Sequence, residues 1–323
     1  MNVLNATICL DLYEVMLRIR LTEEKVSEIY PSDKIQSPIH LSTGQEAVAT
    51  GVCRALLPED HVYGTYRGHG LYVAKGGDLK RLFAELYGKD TGCARGKGGS
   101  MHLLAVKEGL MGCSAVVATT IPLAAGDALA SQMQGRSRVA VAFFGDGAVD
   151  TGIFFESVNF ALLKNLPLLF VLENNGYAVH SRVSDRHKRT DLYRIAEGLG
   201  LKGHRFDGNN VFDVYSATIK AVKALRKGGA PMLLEFMTYR WQEHVGPNSD
   251  LTEGYRQPGE QKVAWKADPL KIAERVLKRR FKIPEKKLAQ QRDVIAREIN
   301  LAVQFAQNSP FPVRERLLED VFL

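Results

Sequence analysis

Two hydrophobic runs in the middle of the chain each end in residues able to hold a charged ligand. The first, within residues 138–145 (RVAVAFFG), stops at Gly145-Asp146-Gly147. The second, residues 167–172, stops at Glu173-Asn174-Asn175. An amphipathic helix pattern separates them, so the segment reads as a β-α-β unit. Such a unit brings Asp146 and Asn175 to one sheet edge, and open α/β sheets bind ligands beyond the carboxyl ends of their parallel strands. A carboxylate and an amide are both oxygen donors, the type that a hard divalent cation selects. The glycines leave room for a diphosphate to approach the backbone. The segment is expected to hold a magnesium diphosphate cofactor.

The elements that must position these residues follow from periodicity and punctuation. The first 30 residues carry Leu12, Val15, Met16, Ile19 and Val26 at helical spacing. Residues 43–57 read as a second helix, with Thr43 as cap and Glu46 completing a capping box. Pro58-Glu59-Asp60 forms a turn, and the glycine-dense stretch 88–112 is too long for a passive connection, so it reads as a functional loop. A small-residue helix is expected over 115–133, a polar basic loop over 179–190, and helices over 192–200 and 211–228. Residues 231–238 read as a buried strand, and 268–307 as an amphipathic helical tail. Strands alternating with helices imply an α/β fold with a mostly parallel sheet and helices on both faces. The expected division is an N-terminal helical segment (1–37), a ligand-binding α/β domain (38–260) and a helical tail packed on it (261–323).

Composition narrows the class. The 323 residues are 45% hydrophobic and 24% charged, as in an ordinary globular protein. No apolar run is long enough for a transmembrane helix, and the N-terminus has the pattern of neither a secretory signal nor a transit peptide, so a cytoplasmic location is expected. Cys9, Cys53, Cys93 and Cys113 form no C-x-x-C pair or zinc spacing and read as reduced, buried thiols. The net charge of +7 is concentrated toward residues 226–297. It reads as a solvated helix face, or next as a surface for an acidic protein partner; without interleaved aromatics it does not suggest nucleic acid.

Beyond this unit, several blocks share an order with a known family. They are HLSTGQEAVATG (40–51), DHVYGTYRGHG (60–70), GKGGSMH (96–102), PLAAGDALA (122–130), the GDG…ENNGYA unit, and TYRWQEH (238–244). Together they resemble the alpha subunit of the thiamine diphosphate-dependent first component of 2-oxo acid dehydrogenase complexes. That family includes the pyruvate, branched-chain 2-oxo acid and acetoin dehydrogenases. The resemblance implies a thiamine diphosphate-binding fold. It assigns Asp146 and Asn175 as side-chain ligands of Mg2+, and Tyr177 as a ligand through its backbone carbonyl. It places Gly147 and Ala148 against the diphosphate at a helix N-terminus. Tyr66, Arg67, Ala115 and Val117 join them in holding the cofactor, Val117 as the wedge that bends it. His40 and His244 become the active-site histidines, His244 also close to the diphosphate. His69 and His102 fall between structural and supporting roles.

The activity implied is decarboxylation or cleavage of a small oxo substrate, a 2-oxo acid or acetoin-like molecule, with the acyl unit passed to a lipoyl group. The glutamate that activates the cofactor belongs to a beta subunit in this family, and no such block follows residue 260. A beta partner, in an assembly of two alpha and two beta chains, is therefore implied, together with a lipoyl acyltransferase core. Some residues depart from the pattern. Val245 and Gly254 stand where the animal pyruvate enzyme carries regulatory serines, so kinase control of that type is not expected. Glu243 places a carboxylate beside His244 and is expected to raise its pKa or reshape the substrate pocket. His180 and the basic loop after it suggest an acidic or phosphorylated substrate. The competing reading is a two-subunit transferase or carboligase that passes an acyl or ketol unit to a carbonyl acceptor.

Overall fold

The computed structural model describes residues 4–257 and 259–319, so the extreme ends of the expected N- and C-terminal segments lie outside it. Its strands are β1 (His61–Thr65), β2 (Leu110–Ser114), β3 (Ala140–Gly145), β4 (Leu168–Asn174), β5 (Tyr177–Ala178), β6 (Ser181–Arg182), β7 (Lys202–Asp207) and β8 (Met232–Met237). Its α-helices are α1 (Ala6–Ile29), α2 (Glu46–Ala55), α3 (His69–Ala74), α4 (Leu79–Leu86), α5 (Thr120–Met133), α6 (Gly152–Lys164), α7 (Val183–Arg186), α8 (Tyr193–Glu197), α9 (Val211–Arg226), α10 (Glu260–Lys266), α11 (Pro269–Phe281) and α12 (Glu285–Asn308).

Successive side chains on a strand point to opposite faces, and the two central strands show what that does to the core. Val141, Phe143, Leu169 and Val171 join one buried cluster. Their neighbours Ala140, Ala142, Phe144, Leu168, Phe170 and Leu172 join a second. The sheet thus divides two cores. Helices α1, α2, α4, α9, α11 and α12 contribute to the first, and α5, α6 and α8 to the second. Burial on both sides is why β3 and β4 read as unbroken apolar runs. Among the described residues the main sheet has six strands in the order β2-β1-β3-β4-β8-β7, all parallel. The expected α/β architecture with helices on both faces is the observed one.

The first and last parts of the chain meet. Tyr13 Oη of α1 donates to Glu274 of α11 at 2.9 Å, and Arg18 pairs with Glu298 of α12 at 2.5 Å. The helical tail is broken where Lys282 takes a left-handed φ of 54° and Pro284 follows, which ends α11 and starts α12. No helix among the described residues is long and apolar enough to cross a membrane.

Candidate active site

β3 and β4 run in register, with Gly145 opposite Glu173, so Asp146 and Asn175 emerge at the same edge. Gly147 and Ala148 lie in a 3-10 turn, Asp146–Asp150, immediately ahead of α6. Gly147 has no room for a side chain, because a Cβ there would come within 2.9 Å of Ala178 Cβ. The Asn175 amide is held on both sides. Its Oδ1 accepts from the Tyr177 backbone N–H at 3.1 Å, and its Nδ2 donates to Gln45 Oε1 at 2.9 Å. Asp146 is buried, which raises its pKa; the opposing pull comes first from Arg186, whose guanidinium pairs with Asp146 Oδ2 and also with Asp150.

The second wall comes from the loop before α2. Glu23 of α1, fully buried, accepts from Ser42 N–H at 2.7 Å, Ser42 Oγ at 2.9 Å and Thr43 Oγ1 at 2.9 Å. Burial pushes its pKa up to about 7 despite those bonds. Glu46 accepts from Gly44 N–H and pairs with buried Arg20, whose guanidinium also lies 4.2 Å over the Trp241 ring. The expected capping box is therefore absent. Helix α2 begins only at Glu46, with Gln45 as its uncapped N-cap residue, and both Thr43 and Glu46 are spent on tertiary partners. Gly44 sits at φ +95°, and an added Cβ would lie 2.5 Å from the Tyr239 carbonyl oxygen, so only glycine fits there.

This loop presents His40. Its ring lies 4.5 Å from Tyr66 and 5.2 Å from His244, and Tyr66 lies 5.6 Å from His244. Burial pushes both histidines down to about 3, with Arg67 the next cause in each case, so both imidazoles are neutral near pH 7. Arg240, completely buried, donates to His244 Nδ1 at 3.3 Å. A guanidinium cannot accept, so Nδ1 must be the acceptor and the ring proton sits on Nε2. Arg67 donates to the Leu41 and His244 carbonyls at 2.5 and 3.4 Å and, among the described residues, forms no ion pair with a carboxylate. Burial and Arg240 lower its pKa, the mark of positive charge without a counterion.

The third wall is the loop between β2 and α5. The helix expected from 115 begins at Thr120, which leaves Ala115 in a bend and Val117 in a turn ahead of it. Ala118 at φ 67° and Val179 at φ 55° adopt left-handed backbone that non-glycine residues, and β-branched ones above all, avoid. Both border the same space, as strained residues do at functional sites. A cavity of about 320 Å3 is lined by His40, Tyr66, Arg67, Ala115, Val117, Asp146, Gly147, Ala148, Asn175, Tyr177 and His244 together. A larger cavity of about 830 Å3 lies beside the glycine-rich segment, but none of these residues line it.

A family model described as "Dehydrogenase E1 component" matches residues 14–315. The chain belongs to the dehydrogenase E1 component family. It stands with the alpha subunits of that family. The alpha subunit of acetoin:2,6-dichlorophenolindophenol oxidoreductase from Bacillus subtilis is 36% identical, covering 97% of this chain and 92% of the relative. The same subunit from Cupriavidus necator is 37% identical, covering 97% and 94%. The pyruvate dehydrogenase E1 component subunit alpha of Porphyra purpurea is 36% identical, covering 93% and 89%. The chain is thus an E1-type oxidoreductase subunit acting on an oxo group, and the family implies thiamine diphosphate and a beta chain.

Three residues around this E1 cavity carry no local signal in the sequence. Gln45 bonds to Asn175 and Arg240 to His244, and Arg186 reaches Asp146 from α7, 40 positions later. Glu173 lines the cavity, where burial, partly offset by Arg67, pushes its pKa up to about 7. A buried carboxylate poised near neutrality in a cleft is a functional candidate, and the Glu-Asn-Asn run is the signal that points to it. Of the two effects expected of Glu243, the rise in the His244 pKa does not occur. Its carboxylate accepts from the Asn248 N–H at 3.0 Å and closes its own loop, while His244 is pushed down by burial and arginines. The basic loop is also less free than its composition suggests. Arg186 and His187 are paired with Asp150, and His180 stacks on Tyr255 at 4.4 Å. His69 is buried against Ser100 and Glu23, and His102 is exposed. The four cysteines are free and buried, as expected.

Proposed function

We propose that this chain is the alpha half of a thiamine diphosphate- and Mg2+-dependent dehydrogenase. Its substrate is a small 2-oxo acid or acetoin-like molecule, and the acyl unit passes to a lipoyl group on an acyltransferase core. The observation that carries the reading is the convergence of Asp146, Asn175 and Tyr177 with an unpaired Arg67 and two neutral histidines on one cavity. Among the described residues no group of three or more His, Cys, Asp or Glu side chains is placed to hold a metal. A cation here would draw on one carboxylate, an amide oxygen, a main-chain carbonyl and the oxygens of a diphosphate. That donor set suits Mg2+, which binds few protein carboxylates and keeps phosphates and water.

When bound, thiamine diphosphate supplies the carbon nucleophile and the electron sink for breaking the bond at the oxo carbon. The chain's own residues bind, orient and move protons. Arg67 offers its charge to the diphosphate, for which a guanidinium is well shaped. His244 holds a proton on Nε2 and can donate a hydrogen bond through it to an oxyanion. His40 and Tyr66 pack their rings against it and exclude water. An anionic diphosphate beside Arg67 would offset the charge that depresses both histidines and bring them nearer to exchanging protons.

A beta chain completes the site, and two chains of each kind form the working assembly. This is supported by the exposed apolar rim at Val116 and Val117, 63% and 47% accessible. A reducing, cytoplasmic setting agrees with four free thiols. The test is isothermal titration of Mg2+ and thiamine diphosphate into the co-purified alpha–beta assembly, followed by turnover of a 2-oxo acid and acetoin panel with lipoamide as acceptor. Asp146→Ala is expected to abolish Mg2+-dependent binding; binding equal to that of the unsubstituted protein would refute the assignment.

A further inference from the structure

We infer that Gln45 is a positioning residue that fixes which atom Asn175 shows to the cation. The inference rests on the cofactor reading above. An amide side chain has an oxygen end that can ligate a cation and a nitrogen end that cannot. The contacts decide which end faces which way. The Tyr177 backbone N–H, 3.1 Å away, is a donor and so must face Oδ1. Nδ2 therefore faces Gln45, which answers with its Oε1 at 2.9 Å. The second lone pair of Asn175 Oδ1 stays available for a cation. Without an acceptor at position 45 the amide loses one of the two contacts that oppose its rotation and keeps only the Tyr177 N–H.

Gln45 is itself tightly held. It is 2% exposed, and its N–H donates to the Ser42 carbonyl at 2.7 Å. The segment on either side is clamped by Glu23 through Ser42 and Thr43, and by Glu46 through Gly44. The loop that presents His40 therefore also locks the metal-side amide, from an element unrelated to the β3–β4 unit. Partners that orient a metal ligand typically contribute 10–100-fold in metal affinity.

The experiment compares Gln45→Met, which keeps the length but removes the acceptor, with Gln45→Glu, which keeps an acceptor. Each variant is purified with its beta partner. Mg2+ is titrated calorimetrically in saturating thiamine diphosphate, with no turnover required. The expected result is a loss of about 10–100-fold in Mg2+ affinity for Gln45→Met and at least about tenfold tighter binding for Gln45→Glu than for Gln45→Met. A loss below about threefold in Gln45→Met, or a Gln45→Glu protein no tighter than Gln45→Met, overturns the inference. Should Gln45→Met fail to assemble, Gln45→Ala takes its place under the same criteria. If the unsubstituted assembly binds no Mg2+, the cofactor reading itself falls; if it binds and Gln45→Met matches it, only the role of Gln45 falls.

Discussion

His40 and His244 lie 5.2 Å apart, and both are held neutral by burial and by Arg67. Their folded pKa of about 3 lies below the ordinary imidazole value of 6.5, so the folded state resists their protonation. The stability this gives is present above the unfolded value and is lost as pH falls from there toward 3. In the cofactor-free protein, His40→Gln should remove one such group. Between about pH 7 and pH 5 its thermal stability should fall by about 1–2 kcal/mol less than that of the unsubstituted protein. Parallel pH profiles from calorimetry would show that His40 is not desolvated as described. At this scale the sequence was informative where candidate residues stand at the ends of apolar runs, as Asp146 and Asn175 do. It was silent where the partner is distant: Gln45 meets Asn175 across 130 positions. It misled at Thr43 and Glu46, whose spacing imitates a cap while both side chains serve buried tertiary contacts.

Among the elements, the glycine-dense stretch is held by one carboxylate. Glu85, at the end of α4, is completely buried and accepts backbone N–H groups from Ala94, Gly96, Gly98 and Gly99 at 2.7–3.0 Å. Residues 94–99 of the segment read as a functional loop are thus wrapped around one acceptor, and its far end is the start of β2. Glu85→Ala strands these donors and should destabilise the protein by about 3 kcal/mol. Trypsin should then cut first at Arg95 or Lys97; an unaltered cleavage pattern would argue against this anchoring role. The elements that periodicity recovered are those with one consistent environment. α1, α9 and β8 were anticipated to within a few residues, and so was the buried pair β3 and β4. β1 contains a glycine, and β7, at the sheet edge, is mostly exposed and reads KGHRFD, so neither carries an apolar signal. The tail was read as one helix because its amphipathic pattern continues past the break at Lys282.

For the molecule as a whole, the cavity opens beside apolar side chains that a monomer has no reason to expose. Val116→Glu places a charge on that rim without touching either core. It should lower alpha–beta assembly in sedimentation velocity while leaving the melting temperature of the separate chain within about 2 °C. Assembly at full strength would move the partner surface elsewhere. The parallel sheet and its layers were legible from the alternation of strand and helix patterns; which helices share a face was not, because that depends on contacts between the chain's two ends. Those contacts bear on how the protein is made. The apolar face of α1 is buried against α11 and α12, and Tyr13 reaches Glu274, 261 positions later. At ribosomal rates of about 5–20 residues per second, that partner emerges roughly 13–50 s after Tyr13. Through that interval the strip of α1 that α11 and α12 cover lacks its partner, while α2 and α3 can already pack on the rest of the helix. The layer made by α1, α11 and α12 is therefore closed last, when both ends of the chain are present.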